Sequence, residues 1–170
     1  MTHLDLAVWL NVISTLAIVA ALIFTALQVR QGNIKRRDQA AITLIQTLQD
    51  QSWARGLDLI DKLPENATRA DLENTSPEVQ RALTELGVRL ETVGYLVFRR
   101  NIDLQSVDDL IGGITLGFWS RAKCWAEKGR ESTGNPKYAE WVEWLVDRIS
   151  ERRSRLGHES AHTRYADWRE

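Results

Sequence analysis

Residues 6–27, LAVWLNVISTLAIVAALIFTAL, run without one charged side chain, and no other stretch limits so strongly what this chain can become. At a rise of about 1.5 Å per residue, a helix of that length covers the roughly 30 Å hydrocarbon thickness of a bilayer. In lipid, a helix is also the one form in which a single segment satisfies its own backbone hydrogen bonds. The run therefore predicts a transmembrane helix. A cleaved signal peptide would carry basic residues ahead of a shorter apolar stretch, whereas here the only charged residue before the run is Asp5. A buried core helix apolar on all sides would need protein packed around its whole circumference.

The flanks set the orientation. MTHLD precedes the run, while Arg30, Lys35, Arg36 and Arg37 follow it closely. Basic residues mark the cytoplasmic side, so the N-terminus is expected outside and everything after residue 28 in the cytoplasm. The same four side chains stand where anionic lipid headgroups would meet them, at about 1 kcal/mol each. Residues 1–37 sum to +3 and the remainder to −4, which makes the basic charge a local patch. A nucleic-acid partner is therefore not expected. Cys124 is the sole cysteine, so no intramolecular disulfide can form.

Within the run, Asn11, Ser14, Thr15 and Thr25 fall inside about 100° of helical arc, with Ala7 beside them. A polar, small-residue stripe is best buried against another helix, because lipid cannot satisfy an amide. This predicts a homo-oligomer, or contact with another membrane protein, besides the lipid bilayer itself. The competing expectation is that Ser and Thr bond back to their own helix and that Asn11 lies near the headgroups.

The remaining chain reads as helices. Ile42, Ile45, Leu48, Trp53, Leu57, Ile60 and Leu63 predict an amphipathic helix over 38–63, ending at Pro64. Residues 65–77 are expected to be loop, closing on Ser76-Pro77 as an N-cap and first helical residue. Val79, Leu83, Leu86, Leu90, Val93 and Val97 then form a heptad seam up to about Arg100, with Gly87 and Gly94 as points of close helix-helix packing. Residues 101–105 should turn, and Ser106 with Asp109 has capping-box spacing for a helix carrying Val107, Ile111, Ile114, Phe118, Ala122 and Trp125. Gly112, Gly113 and Gly117 predict either a bend or close packing within it. A last helix follows Asn135-Pro136 through Tyr138, Trp141, Val142, Leu145 and Ile149, ending at Gly157. The expected fold is all-α: residues 1–28 hold the anchor, 29–157 a small antiparallel helical bundle, and 158–170 a polar tail.

Three stretches carry a family resemblance: LTELGVRLETVGYLVFRRNIDLQSVDDLIGG, FWSRAKCWAEKGRE and YAEWVEWL. They are similar to a family of bacterial single-pass membrane proteins defined only as a domain of unknown function. In that family a Glu in the middle helix, a Trp opening the next segment, an Arg about ten residues on and an aromatic-acidic-aromatic-Leu cluster recur. They correspond here to Glu91, Trp119, Arg130 and Val142–Leu145, where Val142 departs from the first aromatic. The resemblance covers roughly residues 5–152 and implies a bacterial inner membrane location with a helical cytoplasmic domain.

Glu91 borders the apolar seam, where an acid is a structural tie or a proton-transfer group; Arg130 is a candidate partner. Residues 158–162, HESAH, match the shortest zinc-hydrolase signature, HExxH, in which two histidines of one helix hold the metal and the Glu activates its water. Here the match follows the last amphipathic helix, and only eight residues remain to supply a third ligand and its scaffold. There is no phosphate-binding glycine loop and no nucleophile with an adjacent base. Catalytic residues, cofactors, metal and a small-molecule substrate are thus not expected. The expected function is a membrane-anchored, self-associating interaction module. An accessory subunit of a larger membrane complex is the alternative among binding proteins, and a zinc hydrolase the alternative among enzymes.

Overall fold

The computed structural model describes Trp9, residues 14–25, Gln28, residues 50–157 and residues 160–169. Two compact units are distinguished, Met1–Ala40 and Ala41–Glu170. In the first, residues 14–25 are helical and their side chains are exposed. The Thr25 hydroxyl donates to the Ala21 carbonyl at 2.8 Å, the back-bonding that lets a hydroxyl sit on an apolar helix. Among the described residues no helix is long and apolar enough to cross a membrane. Part of the predicted span, including Ala7 and Asn11, lies outside the described residues, as do Arg30, Lys35, Arg36 and Arg37.

The second unit contains six described helices: α1 (Gln51–Ile60), α2 (Arg69–Glu73), α3 (Pro77–Phe98), α4 (Leu104–Thr133), α5 (Glu140–Leu156) and α6 (Ala161–Arg164). No strand occurs among the described residues, as the lack of alternating patterns predicts. The seam of α3 is the heart of the core: Val79, Leu83, Leu86, Leu90, Val93 and Val97 are all buried. It faces Trp53 and Ile60 of α1, with Phe118 and Ala122 of α4 and Val142, Leu145 and Ile149 of α5 completing the interior. Helix α1 runs antiparallel to α3, with Arg89 bonded to Asp50 and Leu86 against Gly56. Helices α4 and α5 are antiparallel as well, since Arg130 meets Glu143 at one end while Asp108 meets Arg153 at the other.

Several boundaries differ from the sequence expectation, each for a local reason. Helix α1 starts at Gln51 because Asp50 is an extended N-cap whose side chain accepts from the Ser52 amide; residues 38–49 lie outside the described residues. The expected loop 65–77 contains α2, formed by a complete capping box between Thr68 and Asp71. Asp103, not Ser106, caps α4, accepting from the Ser106 amide at 2.8 Å, so Leu104 and Gln105 are already helical. Helix α4 then passes Gly112, Gly113 and Gly117 as one element of 30 residues and stops at Gly134 in the left-handed region. Helix α5 begins at Glu140, after turns over 136–139, because Ala139 adopts a left-handed conformation there.

Candidate functional site

Of the residues marked by the family resemblance, Glu91 and Arg130 meet the chain at the start of α5. Its N-cap, Ala139, sits at φ 56° and has no side chain able to accept a hydrogen bond, so the first-turn N–H groups need an acceptor from elsewhere. Glu91, on the middle of α3, supplies it: the Val142 amide donates to Glu91 Oε2 at 2.7 Å. Burial pushes the Glu91 carboxyl above the usual carboxylate range, while the amides of Val142, Trp141 and Glu140 pull it down and nearby Glu140 pushes it up. The geometry is that of a helix N-terminus receiving negative charge from a neighbouring helix.

Gly94, one turn further along α3, makes the approach possible. A Cβ there would overlap the Trp141 carbonyl oxygen, so α3 and α5 touch backbone to backbone at that point. Gly87 has a related use, since its missing side chain leaves room for the Trp125 ring. Of the two, Gly94 meets a neighbouring backbone and Gly87 a neighbouring side chain. Arg130 does not pair with Glu91. Its Nε donates to the Tyr138 carbonyl at 2.9 Å and its guanidinium bonds Glu143 at 2.6 Å, closing the turn between α4 and α5. Trp119 is half-buried on α4 beside buried Phe118.

A second polar cluster, which sequence reading did not single out, ties down the far half of α5. Asp108, 8% exposed, accepts from Arg153 Nε at 2.7 Å and lies 3.3 Å from Arg152 Nε. Arg121 is a third unpredicted tie, donating to the Leu63 carbonyl at 3.1 Å and to Gly117 at 3.1 Å. A capping acid far from its helix in sequence leaves no local spacing signal. An i, i+3 or i, i+4 pattern cannot report it.

Beside these ties lies an open cleft of 230 Å³ between α2, α3, α4 and the 134–139 turn, with Leu72, Leu83, Trp125 and Tyr138 as its apolar walls. Lys128 on its rim is 3.3 Å from Glu73. Burial raises the Tyr138 hydroxyl above its usual range. Among the described residues no group of three or more His, Cys, Asp or Glu side chains could hold a metal. His162 is exposed on α6, while His158 and Glu159 lie outside the described residues.

Geometry and sequence together define an all-α domain whose distinctive polar residues are bonded between its own helices. The family model described as a domain of unknown function, DUF4760, matches residues 14–149, and the chain belongs to that family. No curated protein and no solved structure shows a significant match to the chain.

Proposed function

We propose that this protein is a membrane-anchored helical interaction module that carries out no chemistry. The observation that carries the reading is where Glu91 goes: the acid that stood out as a proton-transfer candidate accepts from the backbone of α5, and Arg130 is likewise spent on Tyr138 and Glu143. The anchor rests on the uncharged run 6–27 and the basic residues after it. On this reading the protein resides in the bacterial inner membrane, N-terminus outside and helical unit in the cytoplasm. It self-associates, or meets another membrane protein, through Ala7, Asn11, Ser14, Thr15 and Thr25.

The test has two parts. Alkaline extraction of membranes should leave the full chain in the pellet; release into the supernatant sinks the anchor. Energy transfer between labelled copies in liposomes should fall for Asn11→Leu by an amount on the order of 1 kcal/mol in association free energy, several-fold in the equilibrium constant. Equal transfer for wild type and variant removes self-association through this face.

A further inference from the structure

Four aromatic rings meet on the outside of the helical unit where α3 ends and α5 begins. Phe98 packs on Trp141 at a tilt of 41° with centroids 4.7 Å apart and meets Trp144 edge-on at 5.9 Å, while Tyr95 meets Trp141 edge-on at 5.6 Å. Such contacts usually belong to a core. Here Tyr95 is 45% and Phe98 51% exposed, and Trp141 and Trp144 are only half-buried. Arg99 and Arg100 follow at once, both exposed, and neither makes an ion pair among the described residues. The acids on the adjoining stretch of α5 are Glu140, Glu143 and Asp147, of which Glu143 is held by Arg130.

We infer that this face, Tyr95, Phe98, Trp141 and Trp144 with Arg99 and Arg100, seats in the headgroup region of an anionic bilayer. The chemistry of the face favours that occupant. Tyr and Trp rings prefer the membrane-water boundary, where an apolar body and a polar tip are both satisfied. Unpaired arginines beside them complement phosphate, which a neutral protein surface would not do. The inference rests on the anchor reading only in bringing the bilayer within reach.

The full chain, reconstituted in phosphatidylcholine vesicles with and without phosphatidylglycerol, tests it when the acyl chains carry bromine close to the glycerol and quench only indoles at the lipid. The difference between wild type and Trp9→Phe isolates the anchor; that between wild type and the double variant Trp141→Phe, Trp144→Phe isolates the aromatic face. Phenylalanine keeps the ring contacts, and matched circular dichroism confirms folding. With phosphatidylglycerol the Trp141/Trp144 emission should be quenched. Without it, or in Arg99→Gln, Arg100→Asn, the docked-to-free ratio should fall about tenfold or more. Unquenched Trp141/Trp144 emission in anionic vesicles beside a quenched Trp9 overturns the surface assignment and leaves the anchor standing. Equal quenching in all vesicles and in the arginine variant overturns the anionic preference. An unquenched Trp9 with a quenched aromatic face sinks the anchor and keeps the surface.

Discussion

The two halves of α5 are each fixed by one acid from a different neighbouring helix, yet the bonds are of different kinds. At the start, Glu91 of α3 accepts from a backbone N–H that no substitution in α5 other than proline removes. Towards the end, Asp108 of α4 holds the side chains of Arg152 and Arg153. Both follow the helix dipole, with negative charge at the N-terminal end and positive charge near the C-terminal end. They differ in what is left when the acid goes. Loss of Glu91 strands dipoles in a tight backbone contact, whereas loss of Asp108 strands full charges on flexible stems that reach partly into water. A neutral amide should thus replace Glu91 far better than Asp108.

The largest effect should come from the tightest point of the first junction. Gly94→Ala forces a methyl group against the Trp141 carbonyl, which neither backbone can yield cheaply, and should cost about 3 kcal/mol in denaturant unfolding of the detergent-solubilised chain. Asp108→Asn comes next, at about 2 kcal/mol, because an amide leaves Arg152 and Arg153 without a counter-charge; their remaining exposure keeps it below the cost at a fully buried pair. Glu91→Ala, leaving first-turn amides without an acceptor, should cost about 1.5 kcal/mol, and Glu91→Gln only about 0.5 kcal/mol, since its carbonyl oxygen can still accept. If Glu91→Gln proves as costly as Asp108→Asn, the distinction between dipole and charge partners fails.

The smallest effect is one of pH, and its sign differs between two acids. Glu91 has a raised carboxyl, so the folded chain holds that proton more tightly than the unfolded one. Its contribution to stability is complete below the unfolded value near 4.5 and declines as pH rises through the folded value. Glu91→Gln should remove that decline. Asp50 is lowered from 3.8 to about 2, first by its hydrogen bonds to Ser52 and Arg89, and contributes stability that is lost as pH falls across that interval. Unfolding curves of wild type, Glu91→Gln and Asp50→Asn across acid pH separate the two. A wild-type curve parallel to that of Glu91→Gln above pH 4.5 would contradict the raised carboxyl.

What could be read from the sequence was whatever repeats at helical spacing. The α3 seam from Val79 to Val97, the Ser76-Pro77 start and the close packing of Gly87 and Gly94 are local patterns with one structural solution. Short-range capping was legible too but was misassigned: Thr68-x-x-Asp71 carries a helix inside an expected loop, and Asp103 caps α4 three residues before the box expected at Ser106. Here Asp103 and Ser106 compete as N-cap types, and spacing alone does not choose between them. Glu91 was visible as an unusual acid, but its partner was not. The Val142 amide lies 51 residues away, and backbone groups carry no sequence signature. Asp108 with Arg152 and Arg153 was hidden for a different reason, because charged residues on amphipathic helices ordinarily face water.

Hydrogen exchange of the individual amides of α5, in wild type and Glu91→Ala, tests most directly whether Glu91 is there to hold that helix. Capping from α3 predicts that the Val142 amide, protected in wild type, exchanges at least about tenfold faster in the variant, while the amide of Ile149, deep in the Asp108-tied half, changes far less. Unchanged protection at Val142 would contradict the capping role and return Glu91 to the list of groups free for chemistry.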